Sequence, residues 1–78
     1  MTVSEAFGDV ADILARLNPA QVLKLHAPSA MAERVEELVD KKKEGGISWE
    51  ESIELERYLA LDLLIGLAKV RARRLVEA

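Results

Sequence analysis

From about Ser48 to Val76 the apolar side chains recur at helical intervals along two opposing faces of one helix, where an ordinary surface helix carries a single stripe. Taking about 100° per residue, Leu59, Leu63, Leu67 and Val70 fall within roughly 80° of one another. Tyr58, Leu61, Ile65, Ala68, Ala72 and Leu75 occupy a second sector on the far side, with Leu64 beside it. Asp62, Gly66, Lys69 and Arg73 fill one seam between the sectors, and Ala60, Arg71 and Arg74 lie along the other.

A helix that is apolar on two sides needs cover on both. Each Leu or Val left in water forfeits about 1.5–3 kcal/mol against full burial, and a whole small domain is stable by only about 5–15 kcal/mol. The only cover within the chain is the preceding fifty or so residues. Association with a second chain is therefore expected, through Phe7, Tyr58, Leu59, Leu63, Leu67 and Val70 as candidate interface residues. The other arrangement is a monomeric bundle in which the N-terminal helix folds back over the second face.

With 78 residues the chain has room for one domain, near the lower limit for a purely apolar core. Half of it is apolar, yet Phe7, Trp49 and Tyr58 are its only aromatic residues, so packing falls to Leu, Val, Ile and Ala. That composition points to packed helices. The lack of cysteine excludes disulfides, thiol catalysis and thiolate metal sites, and with no signal peptide in view the expected location is the cytoplasm. The apolar run from Tyr58 to Ala68 is shorter than the roughly 20 residues a bilayer span requires, so no membrane segment is expected.

Punctuation divides the chain into four helices, about 3–17, 19–25, 29–44 and 48–76. Thr2 and Glu5 form a capping box, after which Val3, Phe7, Val10, Leu14 and Leu17 repeat with Ala6 and Ile13 alongside; Gly8 interrupts them at a cost of about 1 kcal/mol against Ala. Asn18, Pro19 and Gln21 start a short helix that turns Val22 and Leu23 inward, with a strand as the alternative over Gln21 to His26. Pro28 opens the third helix, whose stripe is Met31, Val35, Leu38 and Val39. Lys41, Lys42 and Lys43 lie in its last turn, Gly45 closes it, and Ser48 with Glu51 caps the next. Together these predict an αα-hairpin between Ala30 and Val76.

The stretch from Asp40 to Glu51 partly fits a twelve-residue calcium loop, with Glu44, Gly45, Ile47, Ser48 and Glu51 at ligand-loop positions. Lys42 stands at the third position, however, and puts an ammonium where the ion needs an oxygen. Helix closure and capping account for the same residues without metal. His26 is the only histidine and has no second metal-ligating partner type near it in sequence, so it reads as a turn residue. The carboxylates Glu33, Glu36, Glu37, Glu50, Glu51, Glu54 and Glu56 fall at the spacings of solvated helix faces, so neither catalysis nor a cofactor is expected.

A net charge of −3 gives no drive toward nucleic acid, and the basic residues from Lys69 to Arg74 are scattered over both seams. They complement the helix dipole, as do Glu50, Glu51, Glu54 and Glu56 near the opposite end. Trp49 reads as a plug beneath the turn, and Tyr58 as an anchor at the rim of the second apolar sector.

From Pro28 to Leu75 the chain resembles a group of small bacterial helical proteins. The run AERVEELVDKKKEGG, the turn ISWEE and the string ELERYLALDLLIGLAKVRARRL carry the likeness. Such proteins are compared with antitoxins, so the resemblance implies a regulator that binds and blocks a toxin, often a nuclease. Set against that pattern, no basic DNA-binding arm is visible. The expectation is an all-α helical bundle built on a long αα-hairpin and completed by dimerisation: a non-catalytic interaction module, with an antitoxin-like regulator of a heterologous partner and a degenerate calcium binder as alternatives.

Overall fold

In the computed structural model, residues 1–77 are described, and among them are four helices and no strand: α1 (Val3–Leu17), α2 (Pro19–Val22), α3 (Ser29–Lys43) and α4 (Trp49–Glu77). The protein is all-α. The Thr2 hydroxyl caps α1 by accepting the Glu5 N–H at 3.1 Å, and it donates to the Glu5 carboxylate at 3.2 Å. Asn18 does the same for α2, accepting the Gln21 N–H at 3.2 Å, with Pro19 at the first helical position, where its missing N–H costs nothing.

The second helix is shorter than the sequence spacing predicts. After Val22 the chain tightens: the Lys24 N–H donates to the Gln21 carbonyl and the Leu25 N–H to the Val22 carbonyl, both spanning three residues. Ala27 precedes Pro28, whose ring disfavours helical geometry in the residue before it. Pro28 itself is extended and forms the cap position of α3, which begins at Ser29.

The end of α3 is a Schellman closure. The Gly46 N–H reaches the Lys41 carbonyl at 2.9 Å and the Gly45 N–H the Lys42 carbonyl at 3.2 Å, while Gly45 takes φ +77°. Ser48 and Glu51 then exchange backbone and side-chain bonds of 3.0 and 3.1 Å to start α4.

The chain divides into two compact units. The first joins Met1–His26 with α4 from Leu63 onward. Its core is built from small side chains: Ala11 and Ala15 of α1, Ala68 and Ala72 of α4, and Val22 of α2 are buried, with Leu14, Leu23, Leu64 and Leu67 packed around them. Methyl groups at these four positions let two helix backbones approach closely.

The second unit is Ala27–Asp62. Leu38 of α3 and Leu55 of α4 are its buried residues, flanked by half-buried Met31, Val35, Val39 and Ile47. Polar bonds tie α3 to α4 beside this core. Arg34 grips Glu54 with two parallel bonds, Nε to Oε2 at 2.8 Å and Nη2 to Oε1 at 2.9 Å, and Lys41 Nζ donates to Glu51.

A candidate interaction surface

The surface builds from what α1 and α4 leave uncovered. In the first unit, α1 lies over Ala68 and Ala72, so that flank of α4 is shielded by the chain itself. Leu63 and Val70 project elsewhere and are 54% and 51% exposed; Leu67, at the edge of their stripe, leans onto the core cluster and is half-buried. Phe7 is also half-buried, and with Ala6, Val10 and Leu64 it lines a shallow apolar groove.

In the second unit, Leu59 is 50% exposed and Tyr58 half-buried. Both line a groove with Ala27, Met31, Ala32, Val35 and Asp62. Of the six candidate interface residues, Leu59, Leu63 and Val70 are therefore open to water, and Phe7, Tyr58 and Leu67 are partly covered.

A second apolar surface lies on α1, which sequence periodicity assigns to the packing face. Val3, Val10, Ile13 and Leu17 are all exposed, because α1 packs through Ala11 and Ala15 instead of through its larger residues.

Trp49 corrects the expectation of a plug. Trp49 is 75% exposed, whereas Ile47 two residues before it is half-buried.

Electrostatics in the second unit centre on Arg34, Lys41, Glu51 and Glu54. Arg34 also reaches Glu37 at 3.1 Å and Glu51 at 3.7 Å. Lys41, and after it the Ser48 N–H, hold the Glu51 carboxyl down to about 2. The Arg34 guanidinium likewise lowers Glu54, and that same pairing raises Arg34 above the ordinary arginine value. Glu51, which would be the closing ligand of a calcium loop, is thus engaged by an ammonium and a backbone N–H. Among the described residues no three His, Cys, Asp or Glu side chains converge as a metal site, and no helix is long and apolar enough to cross a membrane.

In the first unit, the Arg71 side chain lies across α1 at Gly8, and its Nε is enclosed without a hydrogen-bond partner. Ser4, Glu5, Asp9 and Asp12 line the open polar depression around it. No protein-family model, curated protein or solved structure matches this chain.

Proposed function

We propose that this protein is a non-catalytic interaction module that acts in the cytoplasm as a homodimer, with α3 and the first part of α4 forming an αα-hairpin. The observation that carries the reading is the exposure of Leu59, Leu63 and Val70 on a helix whose opposite flank is occupied by alanines packed under α1. Large apolar side chains repeated at helical spacing on an open face are what a partner surface consists of. The hairpin draws support from the Arg34–Glu54 and Lys41–Glu51 bonds and from the closure at Gly45.

Sedimentation equilibrium tests the assembly directly. A mass of twice the chain is expected at micromolar concentration, and Leu63→Glu should return it to the single-chain mass with helicity retained. A wild-type protein that stays at single-chain mass at the highest soluble concentration would sink the reading.

A second reading follows from the α1 surface. Val3, Val10, Ile13 and Leu17 would remain open after α4 had paired, and that leaves a face for a different protein. An antitoxin-like regulator, as the resemblance suggests, would use one face for self-assembly and the other to hold its target. Ile13→Glu would then abolish capture of the target while the homodimer persisted.

A further inference from the structure

We infer that the open face of α1 takes a basic amphipathic helix of a different protein, with apolar side chains laid on Val3, Val10, Ile13 and Leu17 and lysines or arginines set against Glu5, Asp9 and Asp12. The inference rests on the second reading above and adds to it the chemistry of the partner. Every residue it uses belongs to α1 or to the stretch of α4 that packs with α1 in the first compact unit.

At about 100° per residue, Val3, Val10, Ile13 and Leu17 fall within roughly 80° of one another, centred about 140° round the helix from the buried pair Ala11 and Ala15. All four are exposed, so the face is open along the whole length of α1. Its two edges differ. On one, Leu14 leans onto the core cluster, and Ala6, Phe7 and Val10 form a shallow apolar groove with Leu64 that can receive a large side chain of the incoming helix. On the other, Asp9 lies about 40° beyond Ile13, with Glu5 about 80° and Asp12 about 100° beyond it.

Those three carboxylates line an open depression together with Ser4 and Gly8. Arg16 is bonded to Asp12 at 3.0 Å, and Arg71 enters the depression from α4 across Gly8. Glu5 and Asp9 are exposed, and neither takes part in an ion pair among the described residues. Three carboxylates against two guanidinium groups leave this edge acidic.

An apolar stripe supplies adhesion to many surfaces, and the carboxylates beside it decide by sign which of them fits. Phosphate backbones and anionic lipid surfaces are repelled, whereas a helix carrying lysine or arginine next to its leucines gains both contacts at once. The first reading seats the second copy on Leu59, Leu63 and Val70, which leaves α1 to another protein.

The test uses the full chain and two synthetic helical peptides, each with leucine along one face and differing only in carrying lysine or glutamate beside it. Binding is read by fluorescence anisotropy. The lysine peptide should bind about tenfold more tightly than the glutamate peptide at low salt, and the difference should shrink at about 0.5 M salt. Glu5→Gln/Asp9→Asn should erase the preference, whereas Glu33→Gln/Glu36→Gln, the same change of charge on exposed residues of α3, should keep it. Ile13→Glu should weaken binding of the lysine peptide at both salt concentrations.

Equal affinity for the two peptides, a preference lost as readily in Glu33→Gln/Glu36→Gln, or tighter retention on anionic lipid vesicles or duplex DNA overturns the inference and leaves α1 standing as a docking face. Binding that Ile13→Glu does not weaken overturns both. A fall in the mass of the assembly in Glu5→Gln/Asp9→Asn would put a second copy on α1 and likewise overturn the inference.

Discussion

Two glycines of this chain answer to opposite physics. Gly45 has φ +77°, in the left-handed region that a Cβ resists, so Gly45→Ala should lower stability by about 1 kcal/mol in urea unfolding. Gly8 lies inside α1, where glycine is a poor helix former. A Cβ built there would stand 3.1 Å from Arg71 Nη2, the free end of a flexible side chain that can shift by a few tenths of an ångström. Gly8→Ala should therefore raise stability by up to about 1 kcal/mol, measured the same way. The role of Gly45 was legible in the sequence, because a lysine-rich helix end followed by two glycines leaves few other geometries. The Arg71 contact at Gly8 was not, since it joins residues 63 positions apart and no spacing rule reaches across that interval.

At the scale of the element, the start of α4 is fixed by two overlapping devices, the Ser48–Glu51 capping box and the Lys41–Glu51 bond. Ser48→Ala should cost about 1 kcal/mol by removing the acceptor for the Glu51 N–H. Glu51 and Glu54 have folded-state values below the ordinary 4.5, so the stability they lend is complete above that pH and is lost as the pH falls below it, for Glu51 toward about 2. The thermal midpoint should drop through this window, and the drop should be shallower in Glu51→Gln/Glu54→Gln; an equal slope in the double variant would remove these two carboxylates as its cause. Helix existence was legible because caps, glycines and periodicity agree for α1, α3 and α4. The end of α2 was not, because the tightening after Val22 depends on three-residue bonds that compete closely with helical ones and leave no mark in composition.

For the whole molecule, a dimer makes stability depend on concentration. The thermal midpoint of the parent protein should climb as the chain is concentrated from about 1 to 100 μM, whereas that of Leu63→Glu should stay level. Of the stripe that helical spacing groups together, Leu59, Leu63 and Val70 are exposed, whereas Leu67 leans onto the core, a contact that spacing along one helix does not show. Which side of α1 turns inward was not legible. Hydrophobic periodicity weights each residue by its greasiness and so points at Val3, Val10, Ile13 and Leu17, while closeness of approach selected Ala11 and Ala15.

That choice has a bearing on how the gene can change. Four methyl groups, those of Ala11, Ala15, Ala68 and Ala72, are fully enclosed, and there is no room at those codons for anything larger. A saturation library selected for folding should find unforgiving positions among these small side chains, and the exposed Ile13 and Leu17 should drift freely wherever no partner is demanded of them.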